Sequence, residues 1–194
     1  MIDNTQNVTL ELPLVPDGFV LTEVTGTVRI QNNPSLTDFG AAFQSLEAIG
    51  GALQVLDNPL LGSIDTFDAL ASLDGPVGFV VQRNGALTSI AGFNLLESVA
   101  GFFDVQDNGL LTELGGFASL TTISGDITVQ GANLTSIAGL GSLTDALSEL
   151  DILEPNGLSD LDQLTSLANV VGDCSIQPAS LLAGAPANVQ SACG

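Results

Sequence analysis

The sequence predicts a mainly β protein, a solenoid of about six 24-residue coils closed by N- and C-terminal caps. Pairs of apolar residues spaced two apart recur at steps of 25, 26, 24, 24, 23 and 24 residues. Alternation at period two is typical of a strand with one side facing inward, and a fixed longer period is typical of stacked repeats. The pairs are Val28/Ile30, Leu53/Val55, Phe79/Val81, Phe103/Val105, Ile127/Val129, Leu150/Ile152 and Cys174/Ile176.

Further apolar positions keep the same offset from each pair and predict inward columns of like side chains. A leucine column is followed by a phenylalanine column, and the last column is predicted to contain Ile49, Leu73, Val99, Ile123, Leu147 and Val170. An asparagine recurs five residues after the first strand position, as Asn33, Asn58, Asn84 and Asn108. Asparagine tolerates left-handed backbone, and its amide can bond adjacent turns, which predicts a stacked ladder inside a corner.

We expect a single domain over residues 1–194, with a cap at 1–25, repeats at 26–176 and a second cap at 177–194. The first cap contains an atypical strand at Val8/Leu10, and the second is expected to form a helical turn or loop. Caps are required because an open solenoid end exposes core and unpaired strand edges. Cys174 and Cys193 predict one disulfide that pins the second cap, with a reduced pair as the alternative.

Charge limits the classes of partner. Asp and Glu number 22, whereas Arg29 and Arg83 are the only basic residues and His does not occur, so the formal net charge is −20. This balance argues against nucleic acid and anionic lipid as partners. It indicates either solubility in a saline medium or a role in cation binding. The chain contains no apolar run of about 18 residues, the length that would predict insertion into a membrane.

The N-terminus does not read as a signal peptide, so an exported chain would have lost its signal. The sequons at Asn7 and Asn133 predict glycosylation only in a eukaryotic source.

Segments such as Gly26-Thr-Val-Arg-Ile-Gln-Asn-Asn-Pro-Ser-Leu-Thr and Leu87-Thr-Ser-Ile-Ala-Gly-Phe resemble repeats of the receptor L-domain family. The resemblance covers residues 26–176 and implies a right-handed parallel β-helix related to leucine-rich repeats. It also implies an extracellular or cell-surface location and binding of a partner. The chain departs from the animal receptors in having a single cysteine pair. The resemblance names no ligand, because the matching positions are scaffold positions.

The strand face is the predicted recognition surface, with an ordinary solvated face as the alternative. We expect a non-enzymatic recognition or adhesion module that binds protein or glycan there. The alternatives are a structural subunit of a surface filament, sheath or layer built from copies of the chain, and an ice-binding protein. The candidate recognition residues lie between or just after the members of each apolar pair: Arg29, Gln54, Leu56, Val80, Gln82, Asp104, Gln106, Thr128, Gln130 and Asp151.

Catalysis has few candidate groups, because the chain contains no His, Lys or Tyr and its carboxylates form no recognisable motif. No cofactor is expected. Calcium stays possible but has no motif, since Asp57 and Asp107 occupy equivalent corners two turns apart. Ice binding rests on a column of small hydroxyl residues that Gly62 interrupts: Thr37, Thr88, Thr112, Thr135 and Ser159.

Overall fold

A computed structural model describes residues 8–9, 21–131, 133–155 and 157–193. Over these residues the chain forms a mainly β, parallel solenoid of about six turns. Each turn passes from a first sheet to a second sheet and back to the first, and three of the turns also have a strand of a third sheet between the first and the second. Every strand pairing is parallel, so each turn is stacked on the preceding one and not folded back against it.

The first sheet runs along the whole described solenoid and carries the longest strands. Its register reproduces the predicted steps, because Val28 pairs with Leu53 and Leu53 pairs with Phe79. Numbered in chain order, its described strands are β1 (Val8–Thr9), β3 (Val28–Gln31), β5 (Leu53–Leu56), β8 (Phe79–Gln82), β11 (Phe103–Gln106), β14 (Ile127–Gln130), β16 (Leu150–Leu153) and β18 (Cys174–Ile176).

The other two sheets consist of two-residue strands. The second contains β2 (Glu23–Val24), β4 (Ala48–Ile49), β7 (Ser72–Leu73), β10 (Ser98–Val99), β13 (Thr122–Ile123), β15 (Asp145–Ala146) and β17 (Asn169–Val170). The third contains β6 (Ser63–Ile64), β9 (Ser89–Ile90) and β12 (Glu113–Leu114). One 3₁₀ turn at Ala138–Leu140 follows the point where the third sheet ends. Strand β2 falls within the range predicted as the N-terminal cap.

The core consists of the predicted columns. The rings of Phe43, Phe67, Phe93 and Phe117 stack one above another, with centroids 4.8, 5.1 and 4.9 Å apart and planes within 10° of parallel. That spacing is close to the strand spacing of about 4.8 Å, so phenylalanine on successive turns lets the rings stack in contact with one another. Phe79 meets Phe93 edge-on with centroids 5.2 Å apart, which joins the first sheet to this column.

The expectation that Leu147 faces inward is wrong. Ala146 is the fully buried residue of β15 and pairs with Ile123, whereas Leu147 is 44% exposed. One turn is 23 residues long instead of 24, and its missing residue lies before Leu134, because Leu134 follows Leu111 by 23 residues. Every later position of that turn therefore reaches its place one residue earlier, and a small side chain replaces the predicted leucine in the core.

Glycine is required where the second sheet leads into the first. A Cβ on Gly51 would lie 2.6 Å from the carbonyl carbon of Gly26, and one on Gly125 would lie 2.6 Å from that of Gly101. The backbones approach this closely because their amides bond between turns: Gly51 donates to Gly26 at 2.9 Å. No side chain fits between them.

At the C-terminus two helices, α1 (Ala179–Gly184) and α2 (Ala187–Cys193), follow the last strand. The predicted helical turn is thus a pair of short helices, and Leu181 and Val189 bury their side chains in the core cluster. The sulfur atoms of Cys174 and Cys193 lie 2.08 Å apart, at disulfide distance. Of the N-terminal cap, Leu10 and Asn7 lie outside the described residues, while Val8 belongs to β1.

Candidate recognition face

The outward side of the first sheet holds all ten predicted recognition residues. Strands of four residues alternate buried and half-buried positions, which turns every second side chain outward. Register aligns these side chains in two columns along the solenoid. The first column contains Arg29, Gln54, Val80, Asp104, Thr128 and Asp151, and the second contains Gln31, Leu56, Gln82, Gln106, Gln130 and Leu153. We call this surface the recognition face.

Hydrogen bonds between turns hold several of these side chains in place. The Nε of Arg29 donates to Oε1 of Gln54 at 2.6 Å, and Nε2 of Gln82 donates to Oδ2 of Asp104 at 2.7 Å. The amide of Gln130 donates to Glu154 at 3.2 Å. A polar group fixed in this way loses less conformational freedom when it meets a ligand, so the face is partly preorganised.

Val80 and Asp104 are more covered than the sequence pattern suggests. Val80 lies on the outward side but is only 9% exposed, and in register it sits between Gln54 and Asp104. The Oδ1 atom of Asp104 is shielded from solvent and has no hydrogen-bond partner among the described residues. Burial raises the pKa of Asp104, against the opposing effect of the Gln106 and Gln82 amides. Burial therefore disfavours the ionised form of the Asp104 carboxylate.

Beyond the end of these strands, one corner residue adopts left-handed backbone in five of the described turns. The residues are Asn32, Asp57, Arg83, Asp107 and Glu154, with φ between 55° and 58°. The first four immediately precede the asparagine column and Glu154 precedes Pro155, so the left-handed position lies one residue before the asparagines and not at them. Residues other than glycine are uncommon in this region of backbone space. Here the stacked turns hold these five residues in the left-handed conformation.

The arginine of this corner occupies the space between the two aspartates considered for calcium. Nε and Nη2 of Arg83 bond the two carboxylate oxygens of Asp57 at 2.7 and 2.9 Å. The hydrogen bond from Arg83 lowers the pKa of Asp57. Asp107 lies one turn beyond Arg83. Within the part of the chain that the structure describes, no group of three or more acidic or cysteine side chains is placed to hold a metal ion.

The asparagine ladder is buried and continuous, as the sequence predicts. Nδ2 of Asn58 donates to Oδ1 of Asn84 at 3.2 Å, and the backbone N–H of Asn58 donates to the same oxygen at 3.0 Å. Asn84 repeats both contacts with Asn108, at 3.2 and 3.0 Å. Because Nδ2 also donates to strand carbonyls such as those of Ile30 and Val55, the amides are committed to the scaffold.

The threonine column forms a second ladder, on the outer side of the third sheet. The hydroxyl of Thr88 donates to the carbonyl of Gly62 at 3.0 Å, that of Thr112 to Thr88 at 3.2 Å, and that of Thr135 to Thr112 at 3.0 Å. These hydroxyl protons therefore bond the backbone of the neighbouring turn. The candidate glycosylation residue Asn133 lies on an exposed corner, where its Nδ2 donates to the carbonyl of Gly109 at 2.6 Å.

One group of surface residues was not identified from the sequence. Leu147, Phe102 and Val171 are exposed at the corner where the second sheet leads into the first. The usable signal was their offset: each lies one or three residues after the last inward position of the second sheet, on the solvent side of the turn.

No described helix has the length and apolar character needed to cross a membrane. Comparisons of the chain with known protein families, with curated proteins and with solved structures found no match.

Proposed function

We propose that the protein is a non-enzymatic recognition or adhesion module that binds a protein or glycan through the recognition face. The observation that supports this most strongly is the arrangement of that face. In the second column, the side chains of Gln82, Gln106 and Gln130 repeat on consecutive turns at about 4.8 Å, beside the first column, which carries Arg29 and Asp104. Such an array offers donors and acceptors at fixed intervals to an extended ligand.

The scaffold does not require the residue types of the first column, which strengthens the assignment of this face to binding. Inward positions repeat the same residue type because identical side chains stack, whereas the first outward column changes from Arg29 to Val80 to Asp151. Function on a stacked repeat resides in such variable outward positions. Amide and carboxylate groups with few apolar neighbours suit ligands rich in hydroxyls and backbone amides.

Location and kinship belong to the same proposal. We infer an extracellular or cell-surface protein related to receptor L-domains. In-register repeats over residues 26–176 and the parallel solenoid are compatible with that relationship. The Cys174–Cys193 pair is consistent with an oxidising compartment, where disulfides persist. The net charge of −20 favours binding of neutral or basic ligands over acidic ones.

A glycan array probed with the labelled full chain, with and without added Ca²⁺, tests the proposal. The face variant combines Gln106→Ala and Gln130→Ala, and the matched control combines Ser72→Ala and Thr122→Ala, half-buried outward residues of the second sheet. Binding that the face variant abolishes and the control retains supports the proposal. Binding that both variants retain contradicts the assignment to this face.

Two further measurements address the other functions that the sequence leaves open. Assembly of the wild type into large particles in sedimentation velocity would favour the structural subunit. Inhibition of ice recrystallisation that Thr112→Tyr abolishes would favour ice binding through the threonine ladder.

A further inference from the structure

Four of the seven large apolar side chains exposed among the described residues lie on one corner of the solenoid. This corner joins the second sheet to the first on five consecutive turns, at residues 74–78, 100–102, 124–126, 147–149 and 171–173. The four side chains are Val77, Phe102, Leu147 and Val171, with exposures of 39, 44, 44 and 70%. At about 4.8 Å a turn, they span roughly 19 Å. We call this surface the apolar corner.

The scaffold does not account for these side chains. In the fifth turn the core position holds Ala146, and the larger Leu147 faces solvent one residue later. The positions equivalent to Leu147 in other turns hold Ala100 and Ser124, so a small or polar residue satisfies the fold there. Val77 lies in the turn between Leu53 and Phe79, which is 26 residues long. The extra length places a further apolar side chain on the same corner.

Carboxylates accompany the apolar residues on three successive turns. Asp126, Glu149 and Asp173 occupy equivalent positions, because Ile127 donates to the carbonyl of Glu149 at 2.8 Å and Leu150 to that of Asp173 at 2.9 Å. The corner ranges contain neither of the chain's two arginines, which lie within β3 and just after β8. The scaffold accounts for Asp126, whose Oδ1 accepts hydrogen bonds from the Ser148 hydroxyl and the Glu149 backbone N–H. Like charges stacked about 4.8 Å apart repel, so placing Glu149 and Asp173 in line with Asp126 adds an electrostatic cost to the fold.

We propose that the apolar corner docks a basic protein segment whose apolar side chains alternate with Lys or Arg. The segment's apolar side chains would cover Leu147, Val171 and Phe102, and its cations would neutralise the carboxylates beside them. Complementary charge decides the occupant. A second copy of this chain would bring the same charge of −20 with two arginines, and anionic lipid or nucleic acid would be repelled likewise. The proposal concerns a surface other than the recognition face and does not depend on it.

Calorimetric titration of the full chain with synthetic peptides tests this inference. The probe alternates Lys with Leu, and a control peptide alternates Lys with Ser. The corner variant combines Leu147→Ser and Val171→Ser. The control variant combines Leu60→Ser and Leu110→Ser. These two leucines are each 53% exposed and lie on a different corner, the one that follows the first sheet.

We expect the Lys–Leu peptide to bind the wild type and the control variant within about twofold of each other, and the corner variant about tenfold more weakly. The Lys–Ser peptide should bind weakly, and equally to all three proteins. Equal loss in the control variant, or equal affinity for both Lys peptides, would show only general charge attraction and would overturn the inference. A wild-type dimer in sedimentation velocity that the corner variant loses would also overturn it, in favour of a second copy.

The recognition-face variant separates this inference from the proposed function. Gln106→Ala with Gln130→Ala should leave binding of the Lys–Leu peptide unchanged. Loss of peptide binding in that variant would place the peptide on the recognition face and overturn the assignment to the corner.

Discussion

Replacement of Asn84 by alanine probes the feature that holds successive turns together. The Asn84 side chain makes five hydrogen bonds: its Nδ2 donates to Val55 and Gln82 carbonyls and to Oδ1 of Asn108, and its Oδ1 accepts from the backbone and side-chain amides of Asn58. The residue is fully buried, so water cannot replace these partners without opening the stack. Asn84→Ala removes all five bonds at once.

The magnitude follows from those contacts. A buried hydrogen bond contributes about 1 kcal/mol net, and a buried donor left without an acceptor costs about 1–3 kcal/mol. The backbone N–H of Asn58 loses its 3.0 Å acceptor, and the carbonyls of Val55 and Gln82 each lose one donor. We therefore expect Asn84→Ala to lower the free energy of unfolding by about 3–5 kcal/mol.

Equilibrium urea unfolding followed by circular dichroism measures this change, with Asn33→Ala as the matched control. Asn33 ends the ladder, is 8% exposed, and makes two side-chain bonds, to Gln31 and to Asn58. Its loss should cost about 1–2 kcal/mol. Asn84→Asp should cost at least as much as Asn84→Ala, because it buries a charge and loses both donors. An Asn84→Ala cost no larger than that of Asn33→Ala would refute the reasoning.

Three other predictions concern stability. Gly125→Ala should cost about 3 kcal/mol in urea unfolding, because its Cβ meets the Gly101 backbone, whereas Gly109→Ala, with open space, should cost under about 1 kcal/mol. Asp104→Asn should stabilise the fold at neutral pH; burial raises the folded pKa of this carboxyl, so the advantage should fade as pH drops through that pKa and vanish below about 3.9, a trend that paired unfolding curves check. Cys174→Ser should cost about 3 kcal/mol, since the bond closes a separation of 19 residues, and reduction of the wild type should cost the same.

The fold could be predicted because the repeat encodes its own register. Once Val28, Leu53 and Phe79 are recognised as equivalent, the step between them fixes which strands pair and which side chains stack. The prediction of a mainly β parallel solenoid is confirmed. The asparagine ladder was equally accessible, because a polar residue repeated among apolar columns needs a partner of its own kind.

The prediction was wrong or silent where the outcome depends on a single residue position. Ala146 and Leu147 are both apolar, and hydrophobicity favours the leucine for the core. The spacing of 23 residues from Leu111 to Leu134 places the missing residue before Leu134, so the same spacing from Ile123 leads to Ala146, whereas the prediction of Leu147 used a spacing of 24. The shielding of Asp104 was hidden for a similar reason: alternation turns it outward, and the covering arises from neighbouring turns.

The candidate sites follow from the same distinction between repeated and irregular positions. Where the residue type repeats at an inward position, as at Phe67 and Phe93, stacking explains it, and a substitution there reports on folding. At other exposed positions the residue type breaks the repeat. Leu147, for example, occupies the position that holds Ser124 in the preceding turn, and the scaffold gives no reason for the leucine. We therefore expect Leu147→Ser to have nearly the same free energy of unfolding as the wild type but a lower affinity for the Lys–Leu peptide. A residue that acts through a partner changes the affinity when it is replaced, without changing the stability of the fold.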